Sequence, residues 1–562
     1  MSPERTGDIA LLVAIGCAAA VGALLWLWGG VAGAVFGSGW PHVGAGQLPA
    51  VLIRLPSRLG DPAAAWPVPA RTGLPGATGF YAALALLCAG ALTVAMTASR
   101  VRPLRLLAGR HPGARWAGAG ELRALRSRGG RVQAGRLTLG RLHGHLLHAE
   151  QRHALVAFGP PQSGKSAGLA VPALLEWQGP AVASSIKTDL LAATVRRRRE
   201  LGEVFVFDPF GLAGTPSQTW SPLHAARSWD GALEVAWRLA AAGEVDQKGV
   251  EGGDFWAIAA EQRLAPLLYA AAGTGAGMDS VVRWVHGQGG RELDAALNEL
   301  TGTARDELAL QGAHAAYDAV RAFEAQADRT RSSIEATAQA LLRAYRFGQV
   351  VRSARSCEIT PDRLLDDDAT VYLIGDAKTS KLLRPIFLAL LSEVVDRAYE
   401  RATLAGGRLE RPLLLCLDEA GNVAPLPNLA EIASTAPSHN IQLISIFHDL
   451  AQARSRYGGQ AETVVNSHRA RMLLPGVADL ETLRYFSGLV GEEEARDATR
   501  TTGAGGSSRS LARRRRPLMA PEALRQLPER HALLLYGRLA PARIRLRMWF
   551  EDRRLRKLAG AS

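Results

Sequence analysis

Two stretches near the start of the chain carry no charged residue, Ile9 to Phe36 and Thr72 to Ser99. The run IALLVAIGCAAAVGALLWLW and the apolar heart of the second stretch at 79–98 both reach the ~20 apolar residues of a bilayer-spanning helix. Trp26, Trp28, Phe80 and Tyr81 stand towards the ends, where aromatic belts form. The pattern predicts a membrane anchor over 1–99, with two transmembrane helices near 9–30 and 79–98. The first run is too long for a cleaved signal peptide, and the residues before it, Glu4, Arg5 and Asp8, are too mixed. Arg100, Arg102, Arg105, Arg110 and Arg115 follow the second run. The positive-inside bias then places the large C-terminal body in the cytoplasm, in a multi-pass protein of the inner or plasma membrane.

Beyond the anchor the pattern changes to short apolar runs. Ala154–Phe158, AVASSIK (181–187), EVFVFD (203–208), ATVYLIGD (369–376), Leu413–Leu417 and IQLISIF (441–447) are separated by helix-like segments. This alternation predicts an α/β fold with a parallel sheet and ligands at the carboxyl ends of the strands. Residues 225–350 differ: FWAIAAEQRLAPLLYAAA and RTRSSIEATAQALLRAYRF repeat apolar positions at helical spacing, which predicts an all-α domain inserted into the α/β domain. That domain is thereby divided into 151–224 and 351–562. The segment RTTGAGGSSRSLARRRR (500–516) reads as a mobile Gly/Ser-rich loop ending in Arg513–Arg516, and HALLLYGRL with ARIRLRMWF as a C-terminal β-hairpin.

Composition narrows the partners. Lys and Arg total 66 against 52 Asp and Glu, a net charge of +14, and only six of the 66 are Lys. Such a surplus points to nucleic acid or an anionic membrane face. Between Arg100 and Arg152 stand twelve Arg against Glu121 and Glu150, so 100–150 reads as a basic juxtamembrane segment on anionic lipid, or as the rim of a polyanion entrance. The 48% apolar content excludes wholesale disorder. Four scattered cysteines (Cys17, Cys88, Cys357, Cys416) exclude a disulfide scaffold and a cysteine zinc site.

The sharpest chemical signal is Gly159-Pro160-Pro161-Gln162-Ser163-Gly164-Lys165-Ser166, which fits GxxxxGK[ST] after an apolar strand and before a helix-compatible run. Small residues there let backbone N–H groups wrap phosphates. Lys165 would reach the β- and γ-phosphates of ATP and Ser166 would hold Mg²⁺. A second motif, RPLLLCLDEAG, puts Asp418 and Glu419 at the end of an apolar strand. Asp418 fits the Mg²⁺-coordinating carboxylate, and Glu419 the base that polarises the attacking water. Lys187, Asp189, Asp208, Asp376 and His448 also stand at strand ends, where each reads equally as a cap or turn residue.

The loop GPPQSGKS, SIKTDLL, VFDP at 206–209, WSPL at 220–223, the DFW that opens the helical insertion and LDEAGNVAPLPNL together resemble the TraG/TraD-type coupling proteins, the membrane ATPases of conjugation and type IV secretion. The likeness continues through HDLAQARSRYG (448–458), NSHRARMLLPG (466–476) and YFSGLVG (485–491). The resemblance implies a RecA-like P-loop core related to the FtsK motors, an all-α domain facing the cytoplasm, and a homo-hexamer. It implies as partners a relaxase–single-stranded DNA complex, or a protein substrate, and the components of a type IV secretion channel. Two positions depart from the family pattern. Ser434-Thr-Ala-Pro-Ser-His439 lacks the arginine finger expected there, with Arg469 or Arg471 as replacements, and His448, with Gln452 one turn on, stands where a Gln is common. A nucleotide-switched receptor platform and an FtsK-like DNA translocase are the alternative functions.

Overall fold

The computed structural model describes residues 3–100, 113–118, 120–127, 135–247, 253–503 and 506–561. The chain forms two compact units, Met1–His111 and Pro112–Ser562.

In the first unit both uncharged runs are helical, Pro3–Phe36 and Ala77–Arg100. Between them short helical turns fold Trp66 against Phe80, with ring centroids 4.9 Å apart, and Trp28 Nε1 donates to the Phe80 carbonyl at 2.8 Å. Among the described residues no helix is long and apolar enough to cross a membrane, so the expected pair of spans is not found there.

The second unit is built on one mixed sheet. Its strands in chain order are β1 (Thr138–Leu142), β2 (His145–His148), β3 (Leu155–Phe158), β4 (Ala181–Ser185), β5 (Val204–Phe207), β6 (Thr370–Ile374), β7 (Leu413–Leu417), β8 (Ile441–Phe447), β9 (Ala470–Leu473), and, after a separate ribbon of β10 (Glu492–Gly503) and β11 (Gly506–Pro517), β12 (His531–Tyr536) and β13 (Ala542–Arg545). The spatial order is β2-β1-β13-β12-β9-β3-β8-β7-β4-β6-β5. From β9 to β5 neighbours run parallel, whereas β12, β13, β1 and β2 pair antiparallel. The six runs expected to be strands are strands. Each is buried along nearly its whole length because helices cover both faces. Alternation along β3 shows this directly: Val156 and Phe158 enter one core, Leu155 and Ala157 the other.

Between β5 and β6 the chain is helical, with Trp229–Gln247, Gly253–Thr274, Met278–Val285, Gly290–Thr303, Glu307–Glu324 and Asp328–Leu341. Their apolar stripes (Leu239, Leu264, Leu268, Val281, Trp284, Val320) are continuous with the core on the Val156 face of the sheet.

Two expectations are corrected. The Gly/Ser-rich segment 500–516 is not a loop. Residues 492–503 and 506–517 form the antiparallel ribbon β10–β11, paired in register from Glu492↔Pro517 to Gly503↔Gly506, with Arg516 Nε 2.9 Å from Glu493 Oε1 across it. The basic segment 100–150 is not uniformly a lipid-facing rim, since 138–148 forms the edge hairpin β1–β2 of the main sheet. Arg115 pairs with Glu121 at 2.6 Å, Arg136 donates to the Ala149 carbonyl at 2.7 Å, and Arg141 pairs with Asp552 at 3.1 Å. Arg102, Arg105, Arg110, Arg128 and Arg131 lie outside the described residues. The expected C-terminal hairpin is β12–β13.

Candidate functional site

The site lies at the carboxyl ends of β3, β7 and β8, the crevice that a parallel sheet leaves for ligands. Buried β3 ends at Gly159, whose N–H donates to the Phe447 carbonyl of β8 at 3.1 Å and fixes where the loop departs. Gln162 and Gly164 have positive φ, +65° and +90°. Successive residues of opposite hand turn backbone N–H groups inward into an anion-binding concavity. A Cβ at Gly164 would also require the flexible end of Met548 to move aside. Ser166–Ala170 is a single π-helical turn that leads into the helix Val171–Glu176.

Lys165 is buried at the start of that turn. Its ammonium donates to the carbonyls of Gly159 and, at 2.9 Å, Pro160. Burial lowers its pKa, opposed by the charges of Glu419 and Asp418. Ser166 Oγ donates to Asp418 Oδ2 at 2.5 Å, joining two motifs 252 positions apart. Burial pushes the Asp418 carboxyl up to about 6, against the pull of the Ser166 bond. Asp418 Oδ1 is buried and has no hydrogen-bond partner among the described residues. Glu419 is held at φ +64° with two donors on its Oε2, Asn422 Nδ2 at 2.8 Å and His448 Nε2 at 3.0 Å. Burial works to raise its pKa, but these two bonds outweigh it and leave the carboxyl below its ordinary value. Glu419 is therefore ionised and aimed.

These groups line one cavity of about 720 Å³, together with Pro160, Pro161, Gln162, Ser163, Lys187 and Asp189. The donor set fits a magnesium nucleotide: a hydroxyl and a carboxylate in contact, one carboxylate oxygen lacking a partner, and a cationic loop beside them. Of the strand-end residues, Lys187, Asp189 and His448 line the cavity, and Gln452 Oε1 accepts from the His448 N–H at 2.8 Å. Asp208 and Asp376 do not. Asp208 accepts from the Ala213 N–H at 2.6 Å, and Asp376 accepts from the Thr379 N–H at 2.7 Å, just before the helix Thr379–Leu404. Neither replacement arginine reaches the cavity within the chain. Arg469 precedes β9, at the end of the sheet away from the loop, and Arg471 donates to the Val465 and Asn466 carbonyls at 3.2 Å.

Sequence reasoning missed the far wall of the cavity, Pro475, Glu529, Arg530, Met548 and Phe550. β12 runs antiparallel to β9, so the residues before it lie beyond the carboxyl ends of β9 and β3, and β13 returns the chain to the same edge. The hairpin signal was present, but its place beside β9 is a long-range pairing with no local signature.

The model of the family described as Type IV secretory system Conjugative DNA transfer matches residues 115–561. The conjugal transfer protein TraG of Escherichia coli is 26% identical over 402 residues, 66% of this chain and 62% of that protein. Protein VirD4 of Rhizobium rhizogenes is 23% identical over 436 residues, 73% of this chain and 60% of that protein. The chain thus spans less than two thirds of the length of these curated relatives. Among solved structures, the bacterial conjugative coupling protein TrwBdeltaN70 in its unbound form matches with a TM-score of 0.58 at 19% identity, covering 78% of this chain and 93% of that one. TrwB in complex with ADP and Mg²⁺ matches with a TM-score of 0.56 at 18% identity over 78% and 94% of the two chains. These structural likenesses establish the fold, an α/β core with a mixed sheet. The family match spans nearly all of the second unit, and the chain belongs to the type IV secretory system conjugative DNA transfer family, the coupling proteins of the TraG/TraD type.

Proposed function

We propose that this protein is a membrane-anchored ATPase that takes up a relaxase–single-stranded DNA complex, or a protein substrate, and delivers it to a type IV secretion channel. The observation that carries the proposal is the convergence of Lys165, Ser166, Asp418 and Glu419 on one cavity, in a chain of the conjugative transfer family. Lys165 and the loop N–H groups hold the β- and γ-phosphates. Ser166 and Asp418 would hold Mg²⁺, which when bound neutralises charge on the phosphate oxygens. Glu419 orients the attacking water and accepts its proton, while His448 and Asn422 keep its carboxylate charged and fixed. The two uncharged runs supply the anchor, and a homo-hexameric ring would surround the strand, gripping its phosphate backbone without base preference.

The test is conjugative transfer together with ATPase rate, with and without single-stranded DNA, for the wild type, Lys165→Ala and Glu419→Gln. Loss of transfer and turnover in both variants, with the proteins still in the membrane fraction, is expected. Normal transfer by both would overturn the motor reading.

A second reading has a specific observation behind it. The helix Leu429–Thr435 and the turn Ala436–His439 carry no arginine, and Arg469 and Arg471 are turned away from the cavity of their own chain. A receptor platform that uses nucleotide as an assembly switch would bind ATP tightly and show negligible DNA-stimulated turnover.

A further inference from the structure

The ribbon β10–β11 is a sheet of its own, and none of its described residues lines the nucleotide cavity. Its root is tied to the body: the Ala114 N–H donates to the Glu492 carbonyl at 2.6 Å, and the Leu518 N–H to the Gly491 carbonyl at 2.9 Å. Residues opposite one another in an antiparallel pair share a face, and so do alternate pairs. The register therefore sorts the ribbon's charges. One face takes Glu494↔Arg515, Arg496↔Arg513 and Arg500↔Arg509, with Ala498↔Leu511 and Thr502↔Ser507 among them. The other takes Arg514 and Arg516 with Glu493 and Asp497, a balanced set in which Arg516 is already paired with Glu493 at 2.9 Å. From Arg496 outward the first face carries four arginines and no acid. Two of its pairs set arginine directly against arginine, which weakens a ribbon rather than holding it together. This charge works against the ribbon's own fold and suits a polyanion.

We propose that this arginine face of the ribbon is a nucleic-acid contact surface that holds the phosphate backbone of the transferred DNA. The assignment rests on the DNA-transfer reading above and gives that substrate a surface outside the nucleotide cavity. Twelve paired positions at about 3.4 Å each make a strip of ~40 Å, a little longer than one ~34 Å turn of duplex. Composition favours phosphate over lipid. The ribbon has no aromatic residue, and Leu511 is its one large apolar residue, so it lacks the groups that seat a surface in a bilayer interface. Thr502 and Ser507, on the arginine face, are residue types that bond phosphate oxygens. With no ring to stack on a base, the contact is blind to sequence and takes single strands and duplexes alike.

The experiment is fluorescence anisotropy of the full-length protein with a labelled single-stranded thymidine oligonucleotide and a mixed-sequence duplex, as salt is varied. Arg500→Gln/Arg509→Gln is compared with the charge-matched Arg514→Gln/Arg516→Gln on the other face. Loss of two phosphate contacts lowers the slope of log affinity against log salt by about 1.4 on the single strand, a loss of about 25-fold at ~0.1 M salt. The first variant is expected to show that change and the second is not. Urea unfolding should find the first variant no less stable than the wild type, because a like-charge pair has been removed. Arg500→Lys/Arg509→Lys should keep the wild-type slope, since a phosphate contact needs only the charge. An unchanged slope in Arg500→Gln/Arg509→Gln would overturn the assignment, as would an equal fall in both glutamine variants. Weaker binding to phosphatidylglycerol vesicles with DNA binding intact would overturn it in favour of a membrane contact. A wild type that binds neither oligonucleotide would instead overturn the DNA-transfer reading itself.

Discussion

Replacing Arg547 by Met should destabilise the protein far more than the loss of an ordinary ion pair, and replacing its partner as well should undo the damage. The Arg547 and Glu176 side chains are only 4% and 3% exposed. Glu176 closes the helix that follows the nucleotide loop, and accepts from Arg547 Nη1 at 2.6 Å and from Thr138 Oγ1 of β1 at 2.7 Å. Arg547→Met strands a buried carboxylate with a single hydroxyl partner, a loss of about 3–5 kcal/mol. That is a large part of the ~5–15 kcal/mol that holds a typical domain together. In Arg547→Met/Glu176→Met no buried charge is left at that end. Asp552 keeps Arg141 at 3.1 Å and the N–H groups of Arg554 and Leu555 at 3.0 and 3.2 Å. The double variant should then lie within about 1 kcal/mol of wild type, as buried pairs replaced by packed apolar groups generally do.

The assay is urea unfolding of the full-length protein followed by tryptophan fluorescence, with MgADP titration alongside. A coupling of at least about 2 kcal/mol between the two substitutions is expected. MgADP affinity should fall in the single variant, where the stranded Glu176 carboxylate displaces the segment carrying Met548, and recover in the double, where no buried charge disturbs it. The reasoning fails if Arg547→Met costs less than about 1 kcal/mol, or if the double variant loses the sum of the singles.

Three further outcomes follow from the site and its surroundings. Gly164→Ala strains a loop residue held at φ +90°, so MgADP titration should show weakened binding while circular dichroism stays that of the wild type. His448→Phe removes one of the two donors that hold Glu419 ionised; turnover at saturating ATP should fall about ten- to a hundredfold while MgADP affinity, by titration, changes less than twofold. His468 is wholly buried, and burial takes its pKa from 6.5 down to about 4. The unfolded chain therefore binds the extra proton first, and stability present above pH 6.5 is lost as pH falls towards 4, by up to about 3 kcal/mol. Urea midpoints between pH 7 and pH 4 should show a shallower acid loss in His468→Asn than in the wild type.

The six core strands and the loop chemistry were legible because each is local. A run of buried β-strand is apolar throughout, and GxxxxGK[ST] concentrates a phosphate cradle into eight positions. Asp418 and Glu419 were legible as a pair at a strand end, although only the sheet order, β3-β8-β7, brings Ser166 within 2.5 Å of Asp418. What escaped was set by pairing across the chain. β1 and β2 are short, interrupted by glycine, arginine and histidine, and sit among arginines, so 138–148 read as a basic segment until its partner β13 is known. Arg530 and Phe550 carry no motif, and their place in the cavity lining follows from two antiparallel strands returning to the edge of β9. The ribbon 492–517 was misread because its Gly and Ser content outweighed the twelve matched pairs of its backbone, which composition does not register.

The sheet is closed on its nucleotide side by strands drawn from opposite ends of the second unit, β1 from residues 138–142 and β13 from residues 542–545. During synthesis the loop at 159–166 leaves the ribosome nearly four hundred residues before the wall that faces it. A nascent or C-terminally nicked subunit thus possesses every motif of the site while the side of the cavity lined by Glu529, Arg530, Met548 and Phe550 is still missing. The cavity is completed last, by strands made long after the motifs that fill it.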